Sequence, residues 1–294
     1  MEEFKILGRV IKGVAGSYLV DIDGKTVTCG GRKSVKFNSG NLLIGDYVEV
    51  TMKGDGDGMI EKIVPRKNFL VRPAVSNIDK IVILISSVPE PDFYLIDKML
   101  VSASIMGIAP CIVVNKSDLN IGKLYDKVCF DYGGQVENII LISTFTGQNI
   151  EKVREVLQGS LTCLVGQSAV GKSSLVNSLK PSSNIETGVL SKNNRGKHTT
   201  RHLEIVELPN STFLVDTPGF SFLDLDIDPK DLMLHYKDYV ELSKECRFTR
   251  CVHINEPDCK ILTELEKGTI SKERYDRYKE LYNELLIKWR KKYG

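Results

Sequence analysis

The feature that most constrains this chain is a glycine-rich segment, Gly166–Ser173, with the sequence G-Q-S-A-V-G-K-S. The apolar run Leu161–Val165 before it predicts a strand, and Ser174–Leu179 after it predicts a helix. In that context the segment is a phosphate-binding loop, because glycines let backbone N–H groups turn toward anionic oxygens and the helix start adds its positive dipole end. Lys172 is expected to neutralise the β- and γ-phosphates, and Ser173 to ligate Mg²⁺. A glycine turn with an accidental Lys-Ser is the disfavoured alternative, so the chain is predicted to bind a nucleoside triphosphate.

The bulk composition is that of an ordinary globular protein, with 294 residues, 42% hydrophobic and 27% charged. This length allows two or three domains. The formal net charge of +2 is too small to indicate a nucleic-acid partner by itself. The first residues lack the basic and apolar regions of a secretory signal, and the most apolar run, Ile81–Ile85, is too short to cross a bilayer. We therefore expect a cytoplasmic protein with no membrane partner.

Residues 1–68 contain short apolar runs of roughly alternating pattern between glycine turns, namely Gly8–Lys12, Ser17–Asp21, Lys25–Cys29, Tyr47–Val50 and Met59–Ile63. Five short strands in a segment of this length predict a small β-barrel, and among small barrels an OB-fold. Basic residues follow the third run at Arg32, Lys33 and Lys36, where they could contact an RNA backbone. A solvated charged face is the equally weighted alternative.

Residues 69–225 alternate strands with helices, which predicts βαβ units and a parallel sheet. The predicted strand Pro110–Val114 ends on Asn115-Lys-Ser-Asp118, and open α/β sheets bind ligands at such strand ends. Asp118 can accept hydrogen bonds from the N1–H and amino group of guanine, a donor pair that adenine does not offer. Asn115 can tie the base to the phosphate loop, and the stem of Lys116 can cover the face of the base. The predicted nucleotide is therefore GTP.

Residues 184–201 show no apolar periodicity, and such a long loop is typical of switches and lids. Near its end, one of Thr199 and Thr200, with Thr200 favoured, is expected to give a hydroxyl to Mg²⁺ and a backbone N–H to the γ-phosphate. The start of a strand is the alternative for both threonines. Farther along, Asp216 is expected to bind Mg²⁺ through water, and Gly219 to offer its N–H to the γ-phosphate.

A cluster of three cysteines and one histidine follows, at Cys246, Cys251, His253 and Cys259. Three thiolates and one imidazole form a full tetrahedral set, which predicts one structural Zn²⁺ without an open catalytic position. Three buried cysteines beside a surface histidine are the less favoured alternative.

The segment Ser271–Gly294 is predicted to be helical and carries an excess of basic residues with aromatic residues between them. This pattern fits contact with rRNA, and it fits equally a docking helix whose aromatic residues lie in the core. The basic residues are Lys272, Arg274, Arg277, Lys279, Lys288, Arg290, Lys291 and Lys292, and the aromatic ones are Tyr275, Tyr278, Tyr282 and Trp289.

The motifs occur in the order N-K-S-D, S-T, phosphate loop, H-T-T and D-T-P-G, whereas Ras-like GTPases begin with the phosphate loop. With the preceding barrel and the following Cys/His cluster, the chain resembles the RsgA family of circularly permuted GTPases over nearly its whole length. The further residues that carry this resemblance are Gly45-Asp46, Arg72-Pro73, Lys197-His198 and Phe220. One departure is Ala169, since the family usually has glycine there, which puts the backbone angle at this position in question.

The resemblance implies an α/β fold with a circularly permuted Ras-like P-loop GTPase domain at residues 69–225. An OB-fold β-barrel at 1–68 and an α-helical zinc-binding domain at 226–294 would flank it. It implies a GTPase, acting as a monomer, that is stimulated by the small ribosomal subunit and binds its 16S rRNA during late maturation. Phe220 stands where Ras-like enzymes have the glutamine that orients water, so His198 is the expected catalytic residue. The less favoured alternative is that His198 only holds its loop against RNA.

Catalysis is assigned to His198, Lys172 and Thr200, and Mg²⁺ binding to Ser173, Thr200 and Asp216. GTP or GDP binding is assigned to Asn115, Lys116, Asp118, Ser143, Thr144, Gly166, Gln167, Ser168, Ala169, Val170, Gly171, Lys172, Ser173, Ser174, Asp216 and Gly219. The alternative functions are a nucleotide-regulated RNA-binding module with vestigial hydrolysis and, less favoured, a phosphotransferase.

Overall fold

The structure is a computed structural model that describes residues 5–14, 17–31, 41–53, 56–70, 74–119, 121–180, 204–216 and 225–293. At Val14, Glu204 and Asp216 it describes the backbone alone. No helix in these ranges combines the length and the apolar character that crossing a membrane would require.

The N-terminal part is a closed five-stranded barrel. Its strands are β1 Lys5–Val14, β2 Ser17–Ile22, β3 Lys25–Gly31, β4 Tyr47–Met52 and β5 Gly58–Ile63. They follow the order β1-β2-β3-β5-β4, and β4 returns antiparallel to β1. Alternate residues point inward and fill the interior, among them Val10, Val20, Cys29, Val48, Val50 and Ile60. All five predicted strands are present, and the order confirms the OB-fold.

The central part is a six-stranded sheet, reached through the two-stranded ribbon β6 Phe69–Leu70 and β7 Val75–Ser76. Its strands are β8 Lys80–Ser86, β9 Ala109–Asn115, β10 Asn138–Leu141, β11 Leu161–Val165, β12 Glu204–Leu208 and β13 Thr212–Asp216. The order is β10-β9-β8-β11-β13-β12, and every neighbouring pair is parallel except β12 with β13. The predicted parallel sheet thus has one antiparallel edge strand, because the short connection between β12 and β13 allows only a hairpin.

Helices cover both faces of this sheet, namely α1 Phe93–Ile105, α2 Gly122–Tyr132, α3 Ile150–Leu157 and α4 Lys172–Leu179. Side chains of β8 alternate between the faces. Ile81, Ile83 and Ile85 pack in the core that contains α1 and α2 residues, whereas Val82 and Leu84 pack in the one with α3 and α4 residues. Burial on both sides explains why the strand is continuously apolar.

The C-terminal part is helical, with a 3₁₀ segment at Pro229–His235 followed by α5 Lys237–Ser243, α6 Lys260–Glu266 and α7 Lys272–Tyr293. Its core contains four tyrosines with ring centroids 5.0–6.2 Å apart, namely Tyr236, Tyr239, Tyr275 and Tyr278. For Tyr275 and Tyr278 the docking-helix interpretation of this segment is therefore the correct one.

Two arginines of α7 also belong to the docking surface. Arg277 Nε donates to Asp97 Oδ2 of α1 at 2.5 Å, and its Nη2 donates to Asp131 Oδ2 of α2 at 3.2 Å. Arg274 is buried in an ion pair with Asp238 of α5. The expectation that these two arginines contact RNA is wrong, because both point into the protein. Exposed basic residues remain along the helix at Lys272, Arg290, Lys291 and Lys292.

The barrel and the sheet are joined by buried polar contacts. Arg9 Nη2 of β1 donates to the Asn77 carbonyl at 2.6 Å and to Asp79 Oδ2 at 2.9 Å. The same carboxylate accepts the backbone N–H of Leu161 at the start of β11. Although burial acts in the opposite direction, hydrogen bonds from Lys67 and Leu161 hold the pKa of Asp79 below its usual value. The domain limits 68/69 and 225/226 stay predictions.

Candidate nucleotide site and metal centre

The predicted phosphate loop lies between β11 and α4, as its flanking pattern requires. Gly166 has φ +151°, and a Cβ there would lie 2.2 Å from the Leu84 carbonyl oxygen. Gly171 has φ +102°, and a Cβ there would lie 2.3 Å from Asn115 Nδ2. Both contacts are too short for any side chain, so glycine is required by the close approach of β8 and β9 as well as by the backbone angles.

Ala169 adopts the left-handed conformation, with φ +65°. The sequence raised the question of this angle, because the family usually has glycine here. A left-handed residue other than glycine costs about 1–2 kcal/mol. The loop therefore keeps the backbone shape that glycine would favour and carries local strain at Ala169.

The ammonium of Lys172 lies across the mouth of the loop. Its Nζ donates to the carbonyl oxygens of Gly166 at 2.7 Å and Gln167 at 2.8 Å. The Gln167 side chain in turn accepts the backbone N–H of Asp92, which caps α1. A cation is thus fixed beside the N-terminus of α4, where anions bind favourably.

Asn115 ends β9 and connects three predicted motifs. The side chain is fully buried, and its Nδ2 donates to the Val170 carbonyl of the phosphate loop at 2.9 Å. Its Oδ1 accepts the backbone N–H of Thr144 at 3.1 Å. Because β9, β10 and β11 run parallel in the same sheet, with β8 between β9 and β11, their carboxyl ends lie at one edge. The structure therefore brings the N-K-S-D motif and the phosphate loop, which are about 50 residues apart in the chain, into one site.

The neighbouring residues complete this edge. Lys116 Nζ donates to the Ala169 carbonyl at 2.9 Å and the Val88 carbonyl at 2.6 Å, so its stem extends along the loop. Ser143 Oγ donates to Asp118 Oδ1 at 2.5 Å and accepts the N–H of Thr146. The carboxylate of Asp118 is thereby oriented at the same edge, with Oδ2 available for a ligand in addition to this bond.

Several predicted residues lie outside the part of the chain that the structure describes. They are Arg32, Lys33, Lys36, Arg72, Pro73, Lys197, His198, Thr199, Thr200, Gly219 and Phe220. Asp216 is placed by its backbone alone, at the end of β13 and opposite Leu164 of β11. That position is one residue short of the end of β11, so Asp216 ends its strand beside the phosphate loop. Ser173 and Ser174, also predicted, are exposed in the first turn of α4.

The four predicted metal ligands form a second site. The ligand atoms of Cys246, Cys251, His253 and Cys259 all lie within 4.8 Å of one another. His253 Nδ1 faces the thiols, at 3.3 Å from Cys259 Sγ and 3.8 Å from Cys246 Sγ. Tetrahedral zinc with bonds of about 2.3 Å to sulfur and about 2.0 Å to nitrogen sets nitrogen–sulfur separations of roughly 3.5 Å. The donor set and its spacing therefore fit Zn²⁺.

The loop that carries these ligands is organised by a residue that the sequence did not indicate. The Glu256 carboxylate accepts the backbone N–H groups of Val252 at 2.8 Å, Ile254 at 2.9 Å and Asn255 at 3.1 Å. Although burial opposes it, these bonds hold the pKa of Glu256 below its usual value. Tyr275 also donates its hydroxyl to the His253 carbonyl. Burial raises the pKa of the Cys251 thiol to about 12, and a bound cation would reverse this preference by favouring the thiolate.

Comparison with known proteins decides the family. A family model described as RsgA GTPase matches residues 63–226, and one described as RsgA N-terminal domain matches residues 7–60. The chain belongs to the RsgA family of GTPases. The small ribosomal subunit biogenesis GTPase RsgA of Agathobacter rectalis is 39% identical over 97% of this chain and 99% of its own length.

Two solved structures agree with the fold over nearly the whole chain. YjeQ from Thermotoga maritima is 30% identical, with a TM-score of 0.81 over 96% of this chain and 99% of the other. YloQ, described as a circularly permuted GTPase, has the same identity and TM-score over 97% and 96%. The predicted RsgA membership, the GTPase class and the circularly permuted fold are thus confirmed. The family includes the barrel and the GTPase domain, and the likeness continues through the C-terminal helices.

Proposed function

We propose that this RsgA-family protein hydrolyses GTP to GDP and phosphate during late maturation of the small ribosomal subunit, and that the subunit stimulates this reaction. The observation that carries the proposal is the bond from Asn115 to the Val170 carbonyl, which joins the N-K-S-D motif to the loop that carries Lys172 and so supports guanine-nucleotide binding. The name of the Agathobacter relative supports the link to the small subunit.

In this proposal the chain's own residues bind and orient the nucleotide. The Asp118 carboxylate, held by Ser143, accepts hydrogen bonds from the polar edge of guanine. It rejects adenine, which lacks this pair of donors. Backbone N–H groups of residues 166–174 and the dipole of α4 bind the β- and γ-phosphates, and Lys172 neutralises their charge. Gly219 offers a further N–H to the γ-phosphate.

A magnesium ion bound with GTP would neutralise charge that develops between the β- and γ-phosphates. Ser173 would hold it with a hydroxyl, together with Thr200 and, through water, Asp216. The exposed Ser173 hydroxyl next to Lys172 at the start of α4 suits a hard cation that prefers oxygen ligands. His198 is proposed to orient the attacking water, because Phe220 cannot do so.

The test is multiple-turnover GTP hydrolysis with and without purified small ribosomal subunits. We expect stimulation of the unaltered protein and, for His198→Ala, loss of stimulated kcat with retained GTP affinity. Lys172→Ala is the matched variant that should lose nucleotide affinity instead. Undiminished stimulated turnover of His198→Ala would remove the histidine from the mechanism. Negligible turnover at saturating subunit would favour the alternative of a nucleotide-regulated RNA-binding module.

The proposal extends to the remaining parts of the chain. One structural Zn²⁺ is assigned to Cys246, Cys251, His253 and Cys259, which match its donor preference and spacing. The barrel and the exposed cations near the end of α7 are assigned to 16S rRNA. We further propose that the protein acts as a monomer in the cytoplasm, where a subunit-maturation GTPase finds its substrate.

A further inference from the structure

Two large apolar side chains stand exposed at the edge where the guanine-recognition residues meet. Phe145 is 88% exposed, the highest value for a large apolar residue in the described ranges, and Leu119 is 54% exposed. Phe145 directly follows Thr144, which bonds Asn115, and Leu119 directly follows Asp118. We call Leu119 and Phe145 the apolar rim.

The loop that carries Phe145 is fixed by hydrogen bonds. Ser143 N–H donates to the Gln148 carbonyl at 3.2 Å, and Gly147 N–H donates to the Ser143 carbonyl at 2.9 Å. Gln148 is itself tied to the hydroxyl of Ser117 at 2.7 Å. The exposed ring therefore sits at the tip of a closed turn rather than on a free strand of chain. The backbone that carries this apolar surface is therefore held at the edge where Asn115 and Asp118 lie.

A purine base has a polar edge and two apolar faces. Asp118 is positioned for the edge, and the Lys116 stem, anchored by its bonds to the Ala169 and Val88 carbonyls, is positioned along the loop beside it. The remaining apolar surface of the base needs a partner that excludes water. Base–aromatic stacking supplies such a contact without reading the edge of the base.

We propose that Phe145 packs on the guanine base of the bound nucleotide, with Leu119 beside it, and so sets nucleotide affinity without setting base identity. This inference rests on the proposed guanine-nucleotide function of the same edge. Guanine and hypoxanthine differ at the edge and share the same faces. Loss of the Phe145 ring therefore lowers the affinity for guanosine diphosphate and for inosine diphosphate by the same factor, roughly tenfold. The preference for guanosine diphosphate over adenosine diphosphate is retained.

The experiment uses the full-length protein and two readouts. In a Trp289→Phe background, which removes the native tryptophan, Phe145→Trp places an indole at the rim and Phe130→Trp places one at another exposed position on α2. GDP should quench the fluorescence of the first variant and leave the second unchanged. Calorimetry then measures the affinity of Phe145→Ala and of Phe130→Ala for GDP and for inosine diphosphate. Phe130→Ala is the control, and its affinity is expected to equal that of the unaltered protein.

The outcomes separate this inference from the function on which it rests. If the unaltered protein binds no guanine nucleotide, the proposed function itself fails. If it binds GDP while Phe145→Ala keeps full affinity, the ring does not contact the base and the inference is overturned. If Phe145→Ala keeps full GDP affinity but loses stimulation by the subunit, Phe145 contacts the ribosomal partner instead, and the inference is overturned equally. Should Phe145→Ala unfold, retained affinity and quenching in Phe145→Trp still support the contact, and absent quenching refutes it.

Discussion

Replacing Arg277 by methionine tests how the C-terminal helix is held against the GTPase domain. The guanidinium is largely buried, and it pairs with two carboxylates whose side chains are each 1% exposed, Asp97 and Asp131. Asp131 keeps a second partner in Lys127, at 3.5 Å. Asp97 keeps no other direct cation: it retains a hydrogen bond with Tyr132 and more distant charges such as Arg274. The substitution therefore leaves one buried carboxylate without a direct ion pair and also removes the cation from the ring of Phe93, 5.2 Å away.

Removing one partner of a buried ion pair lowers the free energy of unfolding by about 3–5 kcal/mol. This lowers the midpoint of thermal unfolding by roughly 10 °C. The matched control is Lys272→Met, which removes a cation from the exposed face of the same helix and should change stability by no more than about 0.5 kcal/mol. The double variant Asp97→Asn with Arg277→Met should recover most of the loss, because neither charge is then buried alone.

The deficit also carries a pH signature. Burial raises the pKa of Asp97 even beside Arg277, and removal of the guanidinium raises it further. A carboxyl whose pKa is higher in the folded than in the unfolded protein favours folding at low pH, and that contribution is lost as pH rises through the folded value. The stability of Arg277→Met should therefore fall farthest below that of the unaltered protein near neutral pH. On acidification the variant should recover part of this difference in stability.

The assay is thermal unfolding followed by circular dichroism, at about pH 7.5 and about pH 5.5. The variant is compared with the unaltered protein at each pH, so that effects common to both, such as protonation of the metal ligands, cancel. A loss below about 1 kcal/mol at the higher pH, or a deficit that is the same at both, would refute the reasoning.

Three further expectations follow from the two sites. Gly171→Ala should reduce GDP affinity at least a hundredfold, seen by calorimetry, since its Cβ would displace Asn115; unchanged binding would contradict this. Ala169→Gly should raise stability by roughly 0.5–1 kcal/mol in urea unfolding, because glycine accepts the left-handed angle, and a destabilised variant would argue against strain there. Glu256→Gln should weaken zinc retention about tenfold in competition with a chelating indicator, through loss of a charged acceptor for backbone N–H groups, and equal retention would leave the carboxylate without this role.

Much of the site was predictable because its motifs are contiguous. Within each motif the residues lie close together in the sequence, so their spacing alone indicates their chemistry. This holds for the phosphate loop, for N-K-S-D and for the Cys/His cluster. The order of these motifs also predicts the permuted connectivity. The alternation of short strands, and then of strands and helices, predicts the barrel and the sheet.

Other features could not be predicted from the sequence. The strand Glu204–Leu208 was missed, and with it the antiparallel edge of the sheet. The role of Glu256 depends on the closed shape of its own loop. Exposure of Phe145 in a rigid turn, likewise, is visible only once the turn is built.

Residue types at short spacing are enough to predict the chemistry of the two sites, namely a phosphate-binding loop, a guanine acceptor and a tetrahedral ligand set. Which charges are available to partners depends instead on the packing of the folded chain. Arg274 and Arg277 look the same in the sequence as the exposed cations of α7, yet Arg274 is buried and Arg277 is largely so. Their carboxylate partners lie 36 to 180 residues away in the chain, and the burial of an ion pair depends on packing between elements that no local pattern records.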